Sequence, residues 1–372
     1  MSEGAEQVYQ LISQSLDFED GDAQISLREE AVRLADLEGD LKLQYFAREV
    51  FVRACIFGGA PEKGLVGFAW LLAQFDNHPG RFDQWGILWK YKWINGVICD
   101  FPQISKKRIY EMLDDLEQRA LKAGYGLRAT TNQRYRAEKF WDNREKAIEY
   151  FRKLEELPAD GLNNCPLCET DERVSFAIYC GDDERALEIA LPILSGGEKC
   201  GSVPHRTYAN VLLPLLRLGR QQEALRYHLK SYSLIANNKA FLDKVGDHMT
   251  CLALTENFKQ ATVLVEKHYS WTETNRDLFS QYRFFRAAWL LFELLAERNR
   301  WVNLNMARSF PLYSDDSLYD CARLAAWFKQ KAEGLARRFD ERNETDFFMR
   351  TIADTPSLKE LSACIPLRKA VP

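Results

Sequence analysis

Four alanines set the terms for this chain. Ala147, Ala186, Ala224 and Ala261 stand in matching surroundings, NREKAIEYF, DDERALEIA, RQQEALRYH and NFKQATVLV, at separations of 39, 38 and 37 residues. Five residues before each lies a turn residue: Asp142, Gly181, Gly219 and Glu256. Gly64, with Gly59 five residues earlier, reads as an earlier and poorer copy. A period of this size is a helix, a turn and a second helix. The small residue marks where the two helices cross closely, since a larger side chain would push them apart. One such hairpin cannot bury its apolar face alone, so hairpins must stack into an array.

No segment shows sustained period-2 alternation bounded by turn signals, so the expected fold is all-α with essentially no sheet. Apolar spacing predicts helices over 5–17, 24–37 and 40–57. Gly58-Gly59-Ala60-Pro61 turns the chain into the next helix, which runs to about Asn77. Helices at 104–123 and 127–141 continue the pattern. Trp85, Trp89 and Trp93 fall on one helix face within 82–99 and are expected to form a seam between helices. Beyond the regular repeats, one long helix is expected from Trp271 to Arg298 and another over Leu318–Phe339. Together they form a helical cap, which an array needs because an exposed last repeat would aggregate. The tail after Pro356 is expected to be short and partly ordered. The organisation read from this is 1–126 degenerate helical repeats, 127–272 regular repeats and 273–372 capping helices.

The third copy carries a resemblance. Tyr208, Leu212, Leu215, Gly219 and Ala224 fall where the tetratricopeptide repeat places its packing residues, and the chain resembles that family well over 127–270 and loosely over 24–78. Its repeats are longer than the family's ~34 residues. The resemblance implies a right-handed α-α superhelix, a solenoid of stacked hairpins with a concave groove. Projected onto the family, Asn132, Arg136, Asp171, Ser175, Tyr179, Arg217 and Thr250 point toward that groove. The implied function is a non-catalytic scaffold that grips a protein or peptide. Arg136 and Arg217, as forked cations, are expected to favour an acidic peptide. The alternative is a signalling regulator that senses a peptide or ligand. Its output surface would be the first forty residues, which hold eleven acidic side chains against Arg28 and Arg33.

The 372 residues carry a net charge of -4, too little positive charge for a nucleic-acid footprint. No eighteen apolar residues run uninterrupted, so no membrane span is expected. The first residues lack a basic and apolar leader pattern, and the nine cysteines are scattered and odd in number. Reduced thiols in a cytoplasm are the expectation.

Chemistry concentrates at Cys165-Pro166-Leu167-Cys168, which places two thiols on one side of an incipient helical turn. Cys200 and His205 follow. Cys165 to Cys200 is 35 residues and Cys168 to His205 is 37, each about one repeat. Equivalent points of successive hairpins are neighbours, so the four residues are expected to converge as a structural Cys₃His zinc site. Such a site would pin the loop from Ser195 to Pro204. Two other readings remain: ordinary surface or capping thiols, and an oxidised Cys165–Cys168 pair. Sequence signatures of hydrolases, kinases and P-loop proteins are absent. Gly124-Tyr125-Gly126-Leu127-Arg128-Ala129 follows a helix rather than a strand, which excludes a dinucleotide fingerprint. His228, His248 and His268 recur every twenty residues and read as structural.

Overall fold

A computed structural model describes residues 2–197 and 199–367. The chain divides into two compact units, Met1–Asn163 with Asn238–Ala240, and Asn164–Asn237 with Phe241–Pro372. The first unit contains α1 (Glu3–Gln14), α2 (Asp22–Glu38), α3 (Leu41–Gly58), α4 (Pro61–Asn77), α5 (Gln84–Val97), α6 (Lys106–Lys122), α7 (Arg128–Phe140) and α8 (Arg144–Glu156). The second contains α9 (Pro166–Cys180), α10 (Asp183–Leu194), α11 (His205–Asn210), α12 (Leu212–Arg217), α13 (Gln221–Ser231), α14 (Leu242–Leu254) and α15 (Phe258–His268). It continues with α16 (Trp271–Thr274), α17 (Leu278–Arg298), α18 (Cys321–Asn343) and α19 (Phe347–Asp354). The architecture is all-α, and consecutive helices pack as hairpins: α3 on α4, α7 on α8, α9 on α10, α12 on α13, α14 on α15.

The turn that makes each hairpin is the one the repeat marks. Asp142, Gly181, Gly219 and Glu256 all adopt left-handed backbone, with φ of 56°, 83°, 71° and 58°. The next amide in each case bonds back to a carbonyl five residues earlier: Asn143 to Glu138, Asp182 to Ala177, Arg220 to Leu215 and Asn257 to Leu252, at 2.8–2.9 Å. This closure satisfies a carbonyl left open at the helix end and reverses the chain. Glycine takes the conformation freely; Asp142 and Glu256 hold it against a cost of roughly 1–2 kcal/mol. Gly59 (φ 82°) repeats the turn in the first unit, with Ala60 bonded to Cys55 at 2.9 Å.

Past the turn, the four repeat alanines are fully buried. At Gly64 a Cβ would lie 3.1 Å from Ile56 Cδ1 and 3.3 Å from Cys55 Cβ, so that crossing is tighter still. The second unit closes on aromatic packing around α17 and α18: Phe292 stacks on Phe328, and Phe310 from the link between the two helices meets Trp327 edge-on. These helices supply the expected C-terminal cap.

Four local expectations change. The helix expected over 271–298 is two helices, because Asp277 accepts from the Ser280 amide at 2.9 Å and its hydroxyl at 2.6 Å, capping a fresh start at α17. The expected Leu318 start of the last long helix is a short strand. Trp301–Asn303 pairs antiparallel with Leu318–Asp320, and the helix begins at Cys321 behind the Asp320 cap. Trp85, Trp89 and Trp93 do line one face, but none is buried. Trp85 stacks on Trp89 at 4.9 Å and donates its indole N–H to the Gly161 carbonyl at 2.9 Å. Finally, 362–367 is held as a strap along the α14–α15 turn. Ala363 and Ile365 donate to the Leu254 and Thr255 carbonyls, and the Asn257 side chain donates Nδ2 to Ile365 O and accepts the Leu367 N–H at Oδ1, both at 2.9 Å. Residues 368–372 lie outside the described region.

Candidate metal centre

Two elements of the second unit bring three thiols together. Cys165 is the N-cap of α9 in extended backbone, and Pro166 occupies the first helical position. Proline suits that place, where its missing N–H would have had no intrahelical partner. Cys168 therefore sits in the first turn beside Cys165. Cys200 comes from the loop after α10, where its amide donates to Val203 O at 2.8 Å and the Val203 side chain is buried.

The loop is tied to α9 by charge. Arg206 donates Nε to Asp171 Oδ2 at 2.6 Å, and Thr207 gives its hydroxyl to Asp171 Oδ1 at 2.5 Å. Asp171 is only 1% exposed. The Asp171 carboxylate holds the Arg206 guanidinium well above its ordinary range.

The result is a compact sulfur cluster. The sulfurs of Cys165, Cys168 and Cys200 all lie within 4.8 Å of one another, and the Cys168 and Cys200 sulfurs are 3.4 Å apart. Tetrahedral ligands on zinc at ~2.3 Å would sit ~3.8 Å apart, inside that range. A hydrogen bond from the Cys168 thiol pulls Cys200 down to about 5, helped by the Ser202 and Val203 amides. The same hydrogen bond, followed by burial, pushes Cys168 up. With the two sulfurs in hydrogen-bond contact, a thiolate on one is stabilised by the thiol of the other. Three soft donors with a stabilised thiolate can hold a thiophilic cation.

His205 is outside this trio. It opens α11, and its ring lies flat on Phe241 with centroids 5.6 Å apart and planes 6° apart. Its Nδ1 is buried without a hydrogen-bond partner among the described residues, and burial lowers its pKa. Repeat spacing had assigned His205 to the cluster, but among the described residues the ligand atoms that converge are those of Cys165, Cys168 and Cys200.

The residues projected onto a groove have varied surroundings. Asn132 is buried, while Arg136, Ser175, Tyr179 and Thr250 are half-buried. Arg136 donates to Gly96 O at 3.3 Å, and Arg217 grips Asp183 through Nε and Nη2 at 2.7 and 2.6 Å. Asp171 belongs to the brace just described. That bracing role was missed in the sequence because an acidic side chain on a first helix looks the same whether its partner is a ligand or an arginine one repeat away.

Comparison with known proteins adds little. No protein-family model matches the chain. No curated protein matches it either. Among solved structures it is similar to the crystal structure of the P58(IPK) TPR domain. That match has 13% identity and a TM-score of 0.25, covering 96% of this chain and 98% of that one. Among the described residues, no helix is long and apolar enough to cross a membrane.

A second polar cluster lies in the same unit. His228 and His248 share a proton between their Nδ1 atoms at 2.9 Å, and Tyr232 bonds His268 Nε2 at 2.7 Å. His248 and His268 are fully buried, with His248 Nε2 and His268 Nδ1 unpartnered among the described residues. The interval of twenty in the sequence comes from one histidine on α13, one on α14 and one ending α15.

Proposed function

We propose that this chain is a non-catalytic scaffold of stacked helix hairpins that binds a protein or peptide, with a structural zinc ion on Cys165, Cys168 and Cys200. What supports the scaffold reading is the stack itself. In the second unit α9 meets α11 and α12 meets α14, so first helices of successive hairpins are neighbours. First helices stacked in this way line one side of an array, a surface suited to an extended segment. On this reading 127–272 holds the binding repeats, 1–126 degenerate repeats and 273–372 the capping helices. Ser175, Tyr179, Arg217 and Thr250 serve the face of the second unit, and the half-buried Arg136 serves a face of the first.

A displayed library of extended peptides tests the scaffold. Peptides selected on the native chain should bind Tyr179→Ala at least ~10-fold more weakly, the loss of one anchoring aromatic side chain. Undiminished binding, with the fold intact by circular dichroism, rejects this face.

Zinc supports the scaffold by joining the α10–α11 loop to the start of α9. Chain reconstituted under reducing conditions should carry one zinc. Cys168→Ser should lower affinity by at least ~100-fold, since a ligand contributes most of the bonding at its position. His205→Ala should leave affinity within about threefold, because its ring rests on Phe241. Elemental analysis finding no zinc after reconstitution would remove the metal reading.

A further inference from the structure

The three-cysteine cluster has a second chemistry besides metal binding. We propose that Cys168 and Cys200 form a reversible disulfide in response to a hydroperoxide, and that this disulfide excludes the metal. The inference shares its residues with the zinc reading, but the disulfide itself does not depend on a bound ion.

The geometry singles out this pair. Its sulfurs are already 3.4 Å apart. A disulfide needs ~2.05 Å, so the remaining approach is ~1.4 Å, within reach of small side-chain rotations. The partners belong to different kinds of segment, one helical and one not. Cys168 is fixed in the first turn of α9, whereas Cys200 lies on a loop that leaves α10 through Gly196 and Gly197, at φ 96° and 136°. Side-chain rotation at Cys200, which lies outside any helix, can close the gap while Cys168 stays in place. Cys165, the other candidate partner, is the exposed N-cap and remains within 4.8 Å as a third thiol for exchange. Cys168 and Cys200 are both partly exposed, which admits a small oxidant.

The chemistry balances with the hydroperoxide as oxidant. One thiol attacks a peroxide oxygen: an S–O bond forms, the O–O bond breaks, and the departing oxygen takes the thiol proton and leaves as water or an alcohol. The second thiol attacks the resulting sulfenic sulfur. The S–S bond forms, the S–O bond breaks, and the oxygen leaves as water with the second proton. Two electrons pass from the two sulfurs to the peroxide. A metal ion needs these same sulfurs as thiolates, so oxidation removes two of its three ligands.

Hydrogen peroxide on the full chain, apo and zinc-loaded, followed by non-reducing peptide mapping, tests the proposal. Trypsin releases Cys165 and Cys168 together on residues 154–173, and Cys200 on 200–206. The expected product is a crosslink between these two peptides, with titratable thiols falling from nine to seven and recovering under dithiothreitol. Fragmentation of the linked wild-type peptide should place the bond on Cys168, which needs no variant to fold. Cys165→Ser should retain the crosslink, and Cys168→Ser should reduce its yield at least tenfold. A bond within residues 154–173, or nine thiols surviving treatment, would overturn the proposal. In the zinc-loaded arm, a chromogenic chelator should register metal release in step with thiol loss. Release without the crosslink also counts against it. A chain that never takes up zinc defeats the metal reading alone, since the apo arm still decides the disulfide.

Discussion

Replacing Arg206 by methionine should lower the unfolding free energy by about 3–5 kcal/mol, the usual result of stripping a buried ion of its partner. The expectation rests on what remains behind. Asp171 is 1% exposed, and without Arg206 its charge retains, among the described residues, only the Thr207 hydroxyl. One hydroxyl does not offset the cost of removing a carboxylate from water. Arg206 itself keeps a quarter of its side chain in contact with solvent, so its own loss of hydration in the native state is modest. Most of the effect is therefore the stranded carboxylate. The double variant Asp171→Leu with Arg206→Met removes both charges and should recover at least half of the lost stability, because apolar replacement of a whole buried pair is often neutral. Urea unfolding at neutral pH measures both. A single variant within ~1 kcal/mol of the native chain would show that Asp171 finds another partner. The brace joins α9 to α11, so the single variant should also loosen the Cys200 loop and weaken metal retention.

Mild acid should unfold the second unit through its buried histidines. Burial holds His228 down to about 4 and His268 down to about 3, and holds His248 well below the usual 6.5. Lys244 adds to the effect at His248 and Lys267 at His268. A depressed base is neutral in the native state and takes up a proton once unfolded. Below pH 6.5 the unfolded chain therefore binds more protons, and stability falls as pH falls. Each histidine contributes roughly 1.4 kcal/mol per pH unit between 6.5 and its native value.

One group opposes them. Burial raises Asp277 to about 6, so the native state gains a proton there between pH 6 and 3.8. The net expectation between pH 6 and 4 is the slope of about two protons, or ~2.7 kcal/mol per pH unit. Two such units rival the whole stability of an ordinary domain, ~5–15 kcal/mol. Chemical unfolding at a series of pH values reads the slope directly. A midpoint that does not move between pH 7 and 5 would mean the histidines are hydrated in solution. His268→Phe should flatten the slope by about one proton.

The hairpin is written in short stretches of sequence. A small residue every 37–39 positions and a turn residue five places earlier carry local information. Left-handed backbone at Asp142, Gly181, Gly219 and Glu256 follows from that local code, as does the burial of the four alanines. The approach of Cys200 to Cys165 and Cys168 was legible for a related reason, since one repeat period in sequence becomes one neighbour in space. What each side chain does once there depends on its packing. His205 had the right spacing, yet it lies outside the converging sulfurs and its ring packs on Phe241. Asp171 and Arg217, both projected onto the groove, also pair within the fold, because a charge beside an opposite charge from the adjacent hairpin binds it whatever else it faces. The three histidines spaced by twenty became one buried cluster only because α13, α14 and α15 present them to each other. Periodicity records which backbone segments meet. Which side chains pair depends on distances of an ångström or two, set by the packing of every neighbouring helix.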